Sequence, residues 1–242
     1  SSAGIHVQKS QGGGGSPVIR GFEANRVLLV IDGVRMNNAI YRSGHLQNSI
    51  TVDPYSLERT EVIFGPSSVG YGSDALGGVI HFYTKKPRLN RQKVFNLSQS
   101  ISYNLIDYSK ANNFSFEISK KKWASYTNFT RSKFGDIVMG KNRTHNFSSW
   151  GLNNFYPDPR KLNIKIINED PNIQKNTAYN QIDLLQKFNF KINEDVNLIL
   201  NFQFSESSNV DRYDKLNELD NIGDLKYAEW YYGPQKRTFL SS

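Results

Sequence analysis

The sequence predicts a small α+β domain followed by long antiparallel strands of a membrane β-barrel. Three observations carry this prediction. Residues 16–87 contain closely spaced glycine turns between short apolar runs. From residue 93 onward, apolar and polar residues alternate over segments of about 9–11 residues, the length with which a barrel strand spans a bilayer. The connections between these segments alternate between short turns and long loops, as they do in transmembrane barrels.

In the first domain, a buried strand ends in a tight turn. Arg26–Ile31 (RVLLVI) is apolar almost throughout, as expected of a strand that is buried on both faces. The pair Asp32-Gly33 predicts a turn, because glycine accepts positive φ and aspartate bonds to nearby backbone. Asp53-Pro54 predicts the N-cap and first residue of a short helix. Further strands are predicted at residues 59–64 and 79–84.

Six fragments of this domain resemble, in order, the plug domain of TonB-dependent outer-membrane receptors. They are Ile19-Arg20-Gly21, Val30–Val34 with Asp32 and Gly33, Leu57–Val62 with Arg59 and Glu61, Gly65-Pro66-Ser67-Ser68, Tyr71-Gly72-Ser73, and Ala75–Ile80 with Gly77 and Gly78. Each fragment alone is weakly specific, whereas six in the right order are strongly specific. The resemblance implies a plug domain at residues 1–87 and the first part of a barrel at residues 88–242.

One position departs from the family pattern. Many members carry an arginine before the Gly-Pro pair, and Phe64 occupies that place here. The substitution removes the group through which an ion pair from plug to barrel would form at this point.

The resemblance also implies a function. In this family, the plug blocks a 22-stranded barrel in the bacterial outer membrane until the inner-membrane TonB complex pulls on it. The chain is therefore expected to take part in active transport of a scarce nutrient, with haem or iron as the leading ligand. The expected partners are the TonB/ExbB/ExbD complex, outer-membrane lipid, haem or a haemoprotein, and an accessory surface lipoprotein. Haem would be the transported ligand, and no intrinsic cofactor is expected.

The polar segment 41–48 (YRSGHLQN) is the candidate ligand-binding loop. In haem receptors of this family, a plug histidine in a Gly-His-Leu context after the Asp-Gly-Val segment is an axial haem ligand, and Gly44-His45-Leu46 matches that context. A neutral imidazole suits an iron porphyrin. Tyr41 would stack on the porphyrin and Arg42 would pair with a propionate. His145, in a later loop, is a further candidate contact. The competing interpretation is a set of solvated loop residues.

The second part of the chain predicts strands with one apolar and one small polar face. They are Val94–Leu105, Asn113–Lys120, Trp123–Lys133, Asn180–Ile192, Val196–Phe204, and a sixth within Tyr227–Leu240. A soluble sandwich would also alternate. The spanning length, the polar face and the short turns at 120–122 and 193–195, set against long connections at 134–177 and 207–226, favour a barrel.

The number of predicted strands is too small for a closed plugged barrel. About six strands are found, against 22 in plugged transporters, and a free edge would leave backbone amides unpaired in lipid. The sequence is therefore expected to be the first part of a longer receptor, with its N-terminal segment also missing.

Other classes of ligand and protein remain open at this stage. Within the receptor class, the alternatives to haem are a ferric siderophore, cobalamin, an oligosaccharide or a peptide. Outside it, the alternative is a non-transporting β-rich surface binding or adhesion protein.

Composition and motifs argue against other classes. A net charge of +8 would allow a nucleic-acid partner, but the cations are scattered and none is expected. There are no cysteines, which excludes disulfides and thiolate zinc sites. Gly70–Ala75 fits G-x-G-x-x-A, but it does not directly follow a strand and has no acidic residue about 20 positions later. Because no other catalytic or metal motif occurs, an enzyme is not expected.

Overall fold

The computed structural model describes residues 4–8, 12, 15–22, 26–36, 49–64, 70–72, 75–143, 147–161 and 164–242. Over these residues the chain consists mostly of strands. A small N-terminal domain packs against one face of a large antiparallel sheet. No helix in the described ranges is both long enough and apolar enough to span a membrane.

Two small sheets form the N-terminal domain. The strands are β1 (Ile5–Gln8), β2 (Ser16–Ile19), β3 (Val27–Ile31), β4 (Val34–Arg35), β5 (Leu57–Ile63) and β6 (Gly78–Thr84). β1 and β2 form a hairpin, and the other strands form a four-stranded sheet in the order β4-β3-β6-β5. β3 runs parallel to β6, while the other neighbours are antiparallel. Every residue of β3 is buried, which confirms the prediction from its apolar run.

The two turn signals of this domain form as predicted. Asp32 and Gly33 separate β3 from β4 and have φ values of 46° and 87°. A two-residue hairpin turn with positive φ at both positions matches the twist of the flanking strands and favours Asp-Gly. A 3-10 helix at Pro54–Ser56 is capped by Asp53, whose Oδ1 accepts a hydrogen bond from the Tyr55 N–H at 3.0 Å.

Glycines are required where β6 enters the sheet. A Cβ atom on Gly77 would lie 2.5 Å from Cβ of Phe22. Gly78 has a φ of 142°, and a Cβ atom there would lie 2.8 Å from the carbonyl oxygen of Ile63. Both positions exclude a side chain, which explains why this pair stands before the apolar strand.

The remaining strands are β7 (Val94–Tyr103), β8 (Lys110–Ser119), β9 (Trp123–Phe134), β10 (Ile137–Val138), β11 (Phe155–Pro157), β12 (Lys165–Ile167), β13 (Ile173–Gln174), β14 (Tyr179–Lys191), β15 (Asn197–Ser207), β16 (Val210–Asp211), β17 (Tyr231–Tyr232) and β18 (Lys236–Ser241). The long strands form one six-stranded sheet in the order β18-β15-β14-β9-β8-β7. All neighbours in it are antiparallel. The predicted division of the chain after residue 87 remains a prediction.

The two faces of the large sheet have opposite chemistry. Buried polar side chains cover the face that meets the N-terminal domain: Asn113, Asn128, Thr130, Ser132, Gln181, Asp183, Lys187, Asn201, Gln203 and Ser205. Exposed apolar side chains cover the other face: Phe95, Leu97, Ile101, Phe114, Phe129, Ile182, Phe188, Leu198, Leu200 and Leu240. A sheet in a water-soluble protein has the reverse arrangement, whereas a transmembrane barrel has an apolar exterior and a polar interior.

The long connections contain secondary structure that alternation did not predict. Between β9 and β14, β10 pairs with β13 and β11 pairs with β12. Between β15 and β18 lie the β16–β17 pair and a short helix, α1 (Tyr213–Leu216). The predicted sixth strand is present but covers only Lys236–Ser241, so the aromatic segment before it belongs to the connection.

Candidate functional site

Asp32, at the turn between β3 and β4, connects the N-terminal domain to the large sheet. Its Oδ2 atom lies 2.9 Å from Nζ of Lys187. The side-chain amides of Asn201 and Gln203 donate to the same oxygen, each at 2.9 Å. Within the N-terminal domain, Thr84 donates its N–H to Oδ1 at 2.9 Å and its hydroxyl to Oδ2 at 2.6 Å. One carboxylate therefore joins β14 and β15 to β6.

The Asp32–Lys187 ion pair is shielded from water. The Lys187 and Asp32 side chains are 1% and 7% exposed. Burial alone would raise the pKa of Asp32, but the charge of Lys187 and the hydrogen bonds from Thr84 and Lys187 hold it below its usual value. Removing one partner of a buried pair leaves an uncompensated charge and costs about 3–5 kcal/mol. This contact is therefore a strong attachment as long as both charges are present.

Asp53 makes a second attachment without a cation. Its Oδ2 accepts hydrogen bonds from Asn128 Nδ2 at 2.8 Å and from Thr130 Oγ1 at 2.7 Å, both on β9. Its Oδ1 is occupied by the Tyr55 N–H. Burial raises the pKa of Asp53 and outweighs both these hydrogen bonds and the charge of Lys85. The neutral donors of the wall do not fully replace the water that this carboxylate has lost.

The backbone next to Asp53 also contacts the wall. Gln181 on β14 donates to the Ile50 carbonyl at 2.8 Å, and Arg237 on β18 donates to the Thr51 carbonyl at 3.1 Å. The hydroxyl groups of Tyr55 and Ser102, on β7, are 2.7 Å apart. Segment 50–55 thus contacts both edge strands of the large sheet and two inner ones.

A cavity of about 360 Å³ adjoins the second attachment. It lies between the N-terminal domain and the sheet, and its lining includes Val52, Asp53, Tyr55, Phe134 and Asp183. Ligand pockets commonly start at about 300 Å³. The wall therefore packs less closely against Asp53 than against the Asp32 turn.

The ligand residues predicted from the sequence fall outside the described part of the chain. These are Tyr41, Arg42, His45 and His145. Gly65 and Pro66 of the predicted motif also lie outside it. All of these assignments remain predictions.

The described motif residues make their contacts within the N-terminal domain. The guanidinium carbon of Arg20 lies 5.2 Å from the ring centre of Phe64, the residue that departs from the family pattern. Arg59 donates to Glu61 at 2.6 Å on the surface. Gly21 and Gly72 have φ values of 83° and 102°. The Tyr71 hydroxyl lies 3.4 Å from Nδ1 of His81.

His81 and Lys187 are functional residues that the sequence did not single out. The Gly33 N–H donates to Nε2 of His81 at 3.0 Å, which fixes the turn that presents Asp32. Burial lowers the pKa of His81 despite the nearby charges of Glu61 and Asp32. Lys187 lies on the predicted polar face of β14, and a lysine among small or neutral residues on that face was the available signal.

Comparisons with known proteins agree with this arrangement. Residues 1–79 match the family model described as TonB-dependent Receptor Plug Domain. The vitamin B12 transporter BtuB of Vibrio vulnificus (strain CMCP6) is 31% identical over 93% of this chain and 30% of its own length. A hemin receptor of Yersinia enterocolitica is 44% identical over 27% of this chain and 9% of its own length. This chain therefore spans less than a third of these curated relatives.

Solved structures share the fold. The copper transporter OprC matches with a TM-score of 0.60 at 15% identity, over 85% of this chain and 26% of OprC. The FrpB iron transporter from Neisseria meningitidis (F3-3 variant) matches with a TM-score of 0.59 at 15% identity, over 86% of this chain and 28% of FrpB.

The chain is a homologue of TonB-dependent receptors, with a plug domain followed by antiparallel strands that resemble the start of the receptor barrel. Its relatives are named as transporters and receptors. This confirms the prediction that the chain is not an enzyme.

Proposed function

We propose that this chain is part of an energy-coupled transporter of the bacterial outer membrane, in which the plug gates the barrel and helps to bind the ligand. The observation that carries the proposal is the inverted chemistry of the large sheet. Its polar face is covered by the plug, and its apolar face has no protein partner among the described residues. A lipid bilayer is the environment that such an exterior requires.

The height of the apolar exterior supports this location. Trp123 and Phe129 mark its extent on β9, and Phe190 and Leu184 are their cross-strand partners on β14. At about 3.4 Å per residue this segment is roughly 20 Å long, comparable with the apolar band of about 25 Å in outer-membrane barrels.

A polar trio inside this band is satisfied internally. Thr127 donates to Oε1 of Gln186 at 2.6 Å, and Nε2 of Gln186 donates to Ser125 at 3.0 Å. Polar groups in the hydrocarbon region need partners within the protein, and these groups have them. The trio is therefore compatible with a lipid-facing wall.

The attachments of the plug suit a gate. Asp32 and Asp53 hold it through an ion pair and hydrogen bonds to the barrel wall. Water can replace polar contacts of this kind when they open, so that each hydrogen bond contributes only about 0.5–1.5 kcal/mol net. In the proposed cycle, the TonB/ExbB/ExbD complex pulls on the plug, the contacts separate, and the ligand passes.

Haem is the ligand that we place first. His45 would be an axial iron ligand, Tyr41 and Arg42 would contact the porphyrin, and His145 would add a contact from a loop. The 44% identity with a hemin receptor over 66 residues supports this choice. A haemoprotein or an accessory surface lipoprotein would deliver the haem.

A haem titration tests the ligand. The receptor, expressed from its complete gene and held in detergent, is titrated with haem while its absorbance is recorded, beside His45→Ala. His6→Ala is the matched control, because His6 is an exposed plug histidine on β1. We expect a shifted Soret band in the wild type and in His6→Ala, and a weakened or displaced band in His45→Ala. A wild-type receptor that does not bind haem would exclude haem as the ligand.

Cobalamin is the second candidate, because the relative aligned with 93% of this chain is named as a vitamin B12 transporter. The same receptor is incubated with cyanocobalamin, and uptake is followed in cells with and without TonB. TonB-dependent uptake of either ligand supports a transporter. Binding without uptake would instead favour a surface binding protein.

A further inference from the structure

Three cations cluster on the outward face of the large sheet. Lys110 on β8 is directly opposite Lys133 on β9. Arg131 lies two residues before Lys133 and therefore points to the same face. All three side chains are exposed. We call Lys110, Arg131 and Lys133 the basic cluster.

The basic cluster borders the apolar exterior at the end of the sheet with long connections. Arg131 is paired with Ile182, an exposed apolar residue of β14. Phe129, two residues before Arg131, begins the apolar band. β9 ends at Phe134, where the long connection starts. The cluster thus lies at the height where the hydrocarbon region would give way to lipid headgroups.

Carboxylates near the basic cluster are engaged elsewhere. Asp107 accepts from the Ser109 N–H at 2.9 Å, and Asp136 accepts from the Thr177 N–H at 2.9 Å. Glu206, on the outward face of β15, lies 3.7 Å from Lys236. Among the described residues, no carboxylate lies within ion-pair distance of the basic cluster.

This arrangement is unfavourable without an external anion. Like charges directly opposite one another on adjacent strands are destabilising. The arginine adds a third charge about 7 Å along the strand. A bound anion would turn this mutual repulsion into attraction, and a guanidinium can hold a phosphate through two parallel hydrogen bonds.

We propose that the basic cluster binds the phosphate groups of an anionic lipid in the leaflet on the long-loop side of the barrel. The apolar neighbours Phe114, Phe129 and Ile182 would contact the acyl chains of the same lipid. This continuity of charge and apolar surface favours a lipid over a soluble anion. The inference rests on the proposed placement of the sheet in the outer membrane, but not on the transported ligand.

The short turn Lys120–Lys122 supplies a matched control. It also carries three cations, but it connects β8 to β9 at the opposite end of the sheet. Replacing either set with glutamine removes the same formal charge. The two triple variants therefore separate a local lipid site from a general effect of net charge.

The test measures retained lipid by native mass spectrometry. The receptor from its complete gene is purified in detergent and titrated with lipid A, a glycolipid carrying two phosphates, or with its dephosphorylated form. We expect the wild type and K120Q/K121Q/K122Q to bind lipid A alike. K110Q/R131Q/K133Q is expected to bind it more weakly by roughly fivefold per cation, on the order of 100-fold in all. The wild type should show a similar preference for the phosphorylated form.

Two outcomes would overturn the inference: equal binding of both lipid forms by the wild type, or equal weakening in the two triple variants. Lys133→Gln alone, with an expected loss of about fivefold, serves if the triple variant does not assemble. A wild-type receptor that does not insert into a bilayer would refute the proposed function, whereas an inserted receptor without phosphate preference would refute only the lipid site.

Discussion

Asp32 and Asp53 attach the plug to the same wall in two different ways. Both carboxylates are buried in the interface, and burial pushes both pKa values upward. Asp32 meets Lys187 and ends with a lowered pKa, whereas Asp53 meets only neutral donors on the wall and ends with a raised one. The comparison shows that the presence of a cation, rather than the depth of burial, decides whether a buried aspartate favours its charged form.

The two attachments are therefore expected to release in sequence. Segment 50–55 borders a cavity and is held by hydrogen bonds. The Asp32 turn is held by a buried ion pair and is braced from behind by His81. Under a pulling force we expect segment 50–55 to separate first and the Asp32 turn last.

The largest effect is expected from Lys187→Met, which leaves the Asp32 charge buried without a partner. The plug should lose about 3–5 kcal/mol of stability in the docked state. Hydrogen exchange of β3 amides in the detergent-solubilised receptor measures this loss. Lys191→Met is the control, since Lys191 pairs with Glu194 at the exposed end of the same strand. Equal exchange in the two variants would contradict the assigned role of the ion pair.

The double variant Asp32→Asn/Lys187→Met sharpens the same point. Removing both charges avoids an isolated buried ion, so the double variant should recover much of the stability lost in Lys187→Met. The readout is again exchange of the β3 amides. Additive losses would show that the two side chains act separately.

A smaller effect is expected from Asp53→Asn. Burial already disfavours the charged form of Asp53, so a neutral amide of nearly the same shape should change the stability of the plug by only about 1 kcal/mol. Exchange of amides in segment 50–57 measures it, with Asp32→Asn as the matched substitution. A loss as large as that of Asp32→Asn would remove the distinction between the two attachments.

The two attachments should respond oppositely to acid. The Asp32 pKa lies below its ordinary value of 3.8 when folded, so its contribution is present above pH 3.8 and is lost as the pH falls through the folded pKa. The Asp53 pKa is raised above 3.8, so its contribution is present below pH 3.8 and is lost as the pH rises through the folded pKa.

Urea unfolding of the plug over a pH series measures both trends. Asp53→Asn should abolish the gain on moderate acidification, and Asp32→Asn should abolish the loss in stronger acid. Parallel profiles for these two variants would contradict the opposite signs.

The smallest effect is expected from Glu61→Gln on the plug surface. It breaks the exposed ion pair with Arg59, whose atoms are 2.6 Å apart. Water screens exposed pairs and side-chain entropy opposes them, so the urea midpoint of the plug should not move measurably. A shift comparable with that of Lys187→Met would show that burial does not govern the strength of ion pairs here.

Much of the fold follows from local patterns. The apolar run of β3, the Asp32-Gly33 turn and the Asp53 cap could all be predicted, because each depends on residues close together in sequence. Alternation in the second part of the chain predicted the strands and both faces of the sheet. The paired strands inside the long connections could not be predicted, because their residues show neither long alternation nor a short turn between partners.

The sequence by itself determined the plug motif, the strands, and which side chains of each strand face the polar interior. Only the tertiary structure decided that Lys187 meets Asp32, 155 residues away, and that Asn128 and Thr130 meet Asp53. The physical reason is that alternation assigns a side chain to a face but carries no information on how far along that face another domain docks. The docking position depends on the packing of the whole plug against the wall, and it alone makes one aspartate an ion-pair partner and leaves the other without a cation.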